Sequence, residues 1–266
     1  MSHRPLARAL AALVALLTTA VGAVLAVPGA AQAAAVNYVA LGDSYSSGVG
    51  AGPYDWSTCL RSQKSYAPLW AAAHGVTSFA FPACGGAVTA DVITSQVNAL
   101  SASTTLVTVT IGGNDAGFAD VITSCRFGST STCTNAVNQA RAFATATLPG
   151  RLDATYAAIR TRAPHARLIV LGYPRLFELN SCGWLAMSTY KRTILNDAAD
   201  LLATVTAGRA GVAGATFVDT RPYFAGHGVC GADPWINDIS GVIEAYHPDA
   251  DGYRYGYLPA LTAVTG

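Results

Sequence analysis

The sequence predicts an α/β protein, a three-layer α/β/α domain built around a five-stranded parallel sheet. Two observations carry that expectation. Five short apolar, β-rich runs recur along the chain, and Ala-rich segments with helical spacing separate them. Strands that alternate with helices give a parallel sheet covered on both faces. A third observation concerns function: the unusual polar and glycine-rich residues fall directly behind the apolar runs, where open α/β sheets hold their ligands.

Residues 1–33 have the make-up of a secretory leader. Arg4 and Arg8 precede an apolar stretch from Ala9 to Val27, and Pro28 to Ala33 ends in Ala-Gln-Ala. Small residues and a cleavage pattern behind the apolar run favour a removed leader over a membrane anchor, and no other stretch is apolar and long enough to span a bilayer. The chain is therefore expected to be exported and to work as a single domain, residues 34–266. Losing the leader removes two of the 16 basic residues and no acidic ones, leaving 14 against 15. That balance is no footprint for nucleic acid.

The expected strands are Asn37 to Leu41, Thr77 to Phe81, Leu106 to Ile111, Arg167 to Leu171 and Ala215 to Val218. The expected helices are Ser65 to Ala73, Asn135 to Arg162 and Leu185 to Gly208, with a last one starting at Pro248 and running toward Leu261. Behind the strands come "GDSYSSG", "PACGGAVT", "GGNDAGF", "GYPRLF" and "DTRPYF". In a parallel sheet these segments share one rim, so residues distant in sequence become neighbours.

Six cysteines, at 59, 84, 125, 133, 182 and 230, point to three disulfides in an exported protein. Zinc is the competing reading, but there is no C-x-x-C spacing and no histidine pair at metal-ligand spacing. Of about 15 possible pairings, the consecutive one suits the strand order. Cys59 and Cys84 follow strands one and two, Cys182 and Cys230 follow strands four and five, and Cys125 and Cys133 bracket a short loop.

Ser44 in "GDSYSSG" is either a turn residue or a nucleophile. A serine hydroxyl becomes nucleophilic only beside a base, and histidine is the usual one. His74 ends a helix and His165 precedes strand four, so both lie at the wrong end of the sheet. His227 and His247 both follow strand five, and His247 is the better placed because Pro248 orients the residue before it. Acyl transfer also needs donors aimed at the developing oxyanion. "CGGA" offers backbone N–H groups without side chains, and "GGND" offers the Asn114 amide.

These blocks resemble the GDSL/SGNH hydrolase superfamily, and within it the secreted three-disulfide lipases and esterases of actinomycetes. Gly42-Asp43-Ser44, the glycine of "CGGA", "GGND" and a histidine near the C-terminus come in family order, across residues 38 to 254. The resemblance implies a flavodoxin-like SGNH hydrolase fold, Ser44 as nucleophile and His247 as general base. It implies an oxyanion hole made of the Ser44 N–H, the Gly86 N–H and the Asn114 side chain. No G-x-S-x-G occurs, which argues against a nucleophile-elbow hydrolase. Family members often carry Asp three residues before the histidine; here Glu244 stands there, and either its carboxylate or the Ala245 carbonyl would orient the imidazole.

The reading is an extracellular, monomeric serine ester hydrolase acting on lipid esters, with no metal or organic cofactor. Esterase action on acetylated polysaccharide or plant polyester is the alternative, since the same machinery serves many alcohols. A non-catalytic binding protein on the same fold is the reading from another class. Tyr54, Trp56, Phe118, Trp184 and Trp235, in the rim loops, are the candidate lining of an apolar acyl groove.

Overall fold

A computed structural model of the chain describes residues 35–183, 186–239 and 243–266. The leader expected over residues 1–33 lies outside the described residues, as do Trp184 and the expected helix start at Leu185. The sheet contains β1 (Asn37–Gly42), β2 (Ser78–Ala80), β3 (Leu106–Thr110), β4 (Arg167–Leu171) and β5 (Thr216–Val218), all pairing in parallel in the order β2-β1-β3-β4-β5. This is the flavodoxin-like order, in which strand progression reverses between β1 and β3 and opens a crevice at their C-terminal ends.

Each strand alternates its side chains between two cores. Tyr38 and Ala40 of β1, with Ile169 and Leu171 of β4, face one side. Val39 and Leu41, with Val107, Val109, Leu168 and Val170, face the other. The period of two is the pleat of a strand buried on both faces, and it is why these runs read as continuously apolar. The helices are α1 (Ser44–Ser47), α2 (Tyr66–His74), α3 (Thr89–Thr94), α4 (Phe118–Phe127), α5 (Thr130–Ala146), α6 (Leu148–Arg162), α7 (Thr189–Val212) and α8 (Leu258–Thr265). Tyr66 and Trp70 of α2 and Leu261 of α8 join the first core, and Leu148, Leu152, Tyr156 and Ile159 of α6 join the second. No helix among the described residues is long and apolar enough to cross a membrane.

Three expected elements differ, and α4 was not among the expected ones. The stretch expected as one helix over Asn135 to Arg162 is two, α5 and α6, because Pro149 has no N–H to continue the ladder and instead occupies the first turn of a new helix. The last helical segment does not start at Pro248, which pairs with Ile236 in an isolated bridge. It begins at Ala250, where Asp249 Oδ1 accepts the Gly252 N–H at 2.8 Å as a cap, and it passes through a π turn, Gly252–Tyr257, into α8. Helix α7 runs Thr189–Val212, its first turn capped by the Ser188 hydroxyl. Helix α4 forms within the stretch after "GGND" that pattern reading treats as loop.

Three disulfides join Cys59 to Cys84, Cys125 to Cys133 and Cys182 to Cys230. The first ties the loop after β1 to the loop after β2, and the third ties the loop after β4 to the loop after β5. The second links α4 to α5 from inside both helices rather than across an isolated loop. Such bridges act mainly on the unfolded chain and contribute about 2–4 kcal/mol each. Non-reducing peptide mapping should return these three pairs, and reduction should lower the thermal midpoint by several degrees per bridge. An unchanged midpoint after full reduction contradicts a stabilising role.

Candidate active site

Strand β1 ends in Gly42 at a φ of 125°, a conformation that L side chains rarely adopt. A Cβ here would run into the Thr110 carbonyl of the neighbouring strand. The chain then turns sharply: the Asp43 N–H bonds Thr110 O at 3.0 Å, and the Asp43 side chain caps α1 by accepting the Tyr45 N–H at 2.9 Å. Ser44 is thereby fixed as the first residue of a one-turn helix, where helical geometry gives its N–H no intrahelical acceptor.

His247 arrives from 203 residues away, and its Nε2 lies 2.7 Å from Ser44 Oγ. Its Nδ1 lies 3.0 Å from the Ala245 carbonyl oxygen. A carbonyl only accepts, so Nδ1 carries the proton and Nε2 is left to accept the Ser44 hydroxyl. The Glu244 carboxylate points elsewhere and accepts the Tyr54 hydroxyl at 2.7 Å. Of the two groups able to orient the imidazole, the Ala245 carbonyl is the one in contact. Burial pushes the His247 pKa down to about 4, against weaker upward pulls from the Ala245 and Glu244 hydrogen bonds.

The turn that folds Nδ1 back onto Ala245 requires Tyr246 at a φ of 60°, which is strained for an aromatic residue. Neighbours hold it there. Tyr45 Oη donates to Tyr246 O at 2.6 Å, Asn237 O accepts the Tyr246 N–H at 2.8 Å, and Asn237 N–H and Nδ2 both reach His247 O. The Tyr45 ring also lies 5.0 Å from the imidazole, centre to centre. Gly50 lets the loop come close, since a Cβ there would strike the Pro248 carbonyl.

The pocket above Ser44 and His247 is lined by Gly85, Gly86, Asn114 and Phe118, among others. Gly85 N–H is taken by Cys59 O and Ala87 N–H by Cys84 O, so among the described residues only the Gly86 N–H of this turn has no protein acceptor. Asn114 Nδ2 gives one hydrogen to Ala87 O at 3.0 Å and keeps a second donor free. The structure thus gathers Ser44, Gly86, Asn114 and His247 around one pocket.

The other histidines among the described residues lie away from this pocket. His74 bonds the Trp70 and Gly266 carbonyls, and His227 stacks on Trp235 and bonds Asp233 O. His165 lies exposed before β4, at the opposite end of the sheet.

Sequence reasoning missed the supports. Tyr173 Oη accepts the Gly113 N–H at 2.9 Å and donates to Asp43 Oδ2, joining the loops after β1 and β3. Asp43 is buried, and desolvation raises its pKa to about 7. Asp115 accepts both the N–H and hydroxyl of Thr89 and pairs with Arg151 at 3.0 Å, joining the loops after β2 and β3. The one sequence signal was position: Tyr45 and Asp115 adjoin Ser44 and Asn114.

The expected acyl groove is corrected. Of its five aromatics, Phe118 lines the pocket over Ser44, whereas Tyr54 binds Glu244, Trp235 stacks on His227, and Trp56 is fully exposed at the rim. Trp184 lies outside the described residues. The apolar lining comes instead from helices. A cavity of about 90 Å³ sits between α4, α5 and α7, and Phe118 and Ile122 line it as well as the Ser44 pocket. Apart from Phe118, none of this lining was read as functional from the sequence, because an amphipathic helix face looks the same whether it packs or binds.

Residues 40–255 match the GDSL-like Lipase/Acylhydrolase family. The chain is 48% identical over 256 residues to Lipase 1 of Streptomyces coelicolor, covering 93% of this chain and 95% of that one. Among solved structures, the extracellular lipase of Streptomyces rimosus superposes with a TM-score of 0.85 at 48% identity, over 87% of this chain and 100% of that one. Phospholipase A1 of Streptomyces albidoflavus superposes at 0.84 and 50% identity, over 86% of this chain and 99% of that one. With its ordered glycine, serine, asparagine and histidine blocks inside the matched span, the chain belongs to the GDSL-like lipase/acylhydrolase family.

Proposed function

We propose that this chain is an extracellular carboxylic ester hydrolase of lipase type, which cleaves lipid esters through an acyl-Ser44 intermediate. The observation that carries this reading is the 2.7 Å approach of His247 Nε2 to Ser44 Oγ. Ser44 Oγ attacks the ester carbonyl carbon as its proton passes to Nε2. The carbonyl oxygen becomes an oxyanion held by the Ser44 and Gly86 N–H groups and Asn114 Nδ2. Collapse expels the alcohol, which takes the proton from Nε2, and water repeats the sequence to free the acid. Throughout, the Ala245 carbonyl keeps the Nδ1 proton in place.

The helix-lined cavity beside Phe118 and Ile122 supports an apolar acyl chain as the group bound there. Relatives at about half identity named lipase and phospholipase A1 support lipid esters as the class, while likeness to an acetylxylan esterase rests on fold at 14% identity. The disulfides support work in an oxidising, extracellular setting, and the run from Arg4 to Ala33 supports a leader removed on export. We take residues 34–266 as one catalytic domain acting as a monomer, with no membrane anchor, no nucleic-acid partner and no cofactor, since the chain itself supplies nucleophile, base and donors.

Ser44→Ala should lose on the order of 10⁴-fold or more in kcat on a p-nitrophenyl ester at unchanged melting temperature. In the parent enzyme, an organophosphonate should label the Ser44 peptide stoichiometrically; wild-type turnover by the alanine variant, or labelling elsewhere, sinks the assignment. Glu244→Gln separates the two orienting groups. With the carbonyl in that role kcat should fall by about tenfold or less, whereas a loss of about a thousandfold would falsify it.

Activity needs neutral His247, so the acid limb of kcat/KM should lie below the usual 6.5 of histidine, toward about 4. A limb at or above 6.5 contradicts the burial argument. The stability sign agrees. Between about pH 4 and 6.5 the unfolded chain holds a proton on this ring that the folded chain lacks, so this contribution is complete above 6.5 and is lost as pH falls. Asp43, with its raised pKa, acts in the opposite direction between its unfolded value and about 7.

A further inference from the structure

Trp56 stands apart from the other tryptophans in the described residues. Trp70 stacks on His74 and Trp235 stacks on His227. Trp56 is 107% exposed relative to a free residue, and no aromatic partner is within reach among the described residues. A large apolar ring standing in water has its whole area available for burial against another apolar phase.

The loop that carries it is not slack. Tyr54 and Ser62 form an antiparallel bridge across its base, the Asp55 N–H donates to the Arg61 carbonyl oxygen at 2.9 Å, and Arg61 Nε pairs with the Asp55 carboxylate at 2.9 Å. Ser57 Oγ donates to Asp55 Oδ1, and the Cys59–Cys84 disulfide anchors the far side. The braced loop holds the indole outward.

Its position follows from the same bonds. Leu60, at the end of the loop, lines the pocket that contains Ser44 and His247. Tyr54 Oη binds Glu244, next to Ile243, which lines that pocket and is itself 62% exposed. Two exposed apolar side chains therefore stand on tethered loops bordering one catalytic opening. Asp55 and Arg61 neutralise each other, so the loop offers an apolar ring without a net cation.

We propose that the Trp56 loop, together with Ile243, is a docking surface for an uncharged or zwitterionic lipid–water interface, holding the catalytic opening against the ester layer. The inference rests on the lipid-ester reading above. Tryptophan suits this task because its ring partitions to the headgroup boundary, apolar in body and polar at the indole N–H. Attachment comes from burying apolar area and not from charge, so it should be insensitive to salt.

The test uses the full chain carrying Ser44→Ala, so that binding is read without hydrolysis. This protein should float with phosphatidylcholine vesicles, and adding Trp56→Ala should weaken partition by about ten- to a hundredfold, the equivalent of one large buried side chain. In the active enzyme Trp56→Ala should lower turnover of vesicular phosphatidylcholine at limiting lipid by a similar factor, while soluble p-nitrophenyl acetate is turned over within about twofold of wild type. Equal partition of the two proteins overturns the docking surface and leaves the ester chemistry standing. Partition confined to anionic vesicles and abolished by salt also overturns it. Sedimentation giving a dimer for wild type and a monomer for Trp56→Ala assigns the ring to a second copy and overturns it too. Vesicle binding that depends on Trp56 in a protein unable to hydrolyse any lipid ester would instead remove the parent reading alone.

Discussion

The close passage of β1 against β3 at Gly42 and Thr110 is the constraint on which the rest depends. The two residues pair in register, and only a residue without Cβ fits the turn that follows. Nearly every polar group at this junction is used: Gln96 bonds both the N–H and the carbonyl of Gly42, Cys84 N–H bonds Gly42 O, and Thr110 N–H reaches Ser46 Oγ. The junction is also where strand order reverses, so a turn that must be tight for packing reasons lies where the sheet leaves a crevice. Ser44 inherits its position from that coincidence.

From this point a polar lattice binds together the loops that supply the chemistry. Tyr173 couples Asp43 to Gly113, and Asp115 couples Thr89 to Arg151. Donors aimed at an oxyanion are effective when they need no reorganisation during reaction, and residues locked by a surrounding hydrogen-bond network meet that condition. The strained backbone at Tyr246 belongs to the same economy, held by Tyr45, the neighbour of the nucleophile in sequence. One tyrosine thus braces the base while its own backbone continues the helix that carries the nucleophile.

Electrostatics explains why a carbonyl can stand where relatives often carry a carboxylate. His247 is buried, and a second buried charge beside it would carry its own desolvation cost unless fully paired. The Ala245 carbonyl fixes the tautomer without that cost, and Glu244 finds a hydroxyl partner in Tyr54 near the surface. The longer glutamate becomes a strut between the His247 turn and the Trp56 loop.

Local pattern was enough for the sheet, the helical cover and the four blocks around the pocket, because strand period, glycine at forced turns and small polar residues behind strands leave marks on a single sequence. Pairing of the cysteines was legible once strand order was, since neighbours on one rim are neighbours in space. The break at Pro149, the cap at Asp249 and the existence of α4 were less legible, because they depend on packing that overrides local propensity. Sequence by itself marked Ser44, His247, the "CGGA" glycines and Asn114 as candidates for the chemistry, and the family resemblance singled out Gly86 and left Glu244 or the Ala245 carbonyl to orient the ring. Only tertiary structure showed the Ala245 carbonyl and not the Glu244 carboxylate in contact with the ring, left Trp56 out of the pocket lining, and recruited Tyr45 and Tyr173. Those outcomes depend on directions of side chains across contacts as distant as 201 residues, and no local pattern encodes a direction in space.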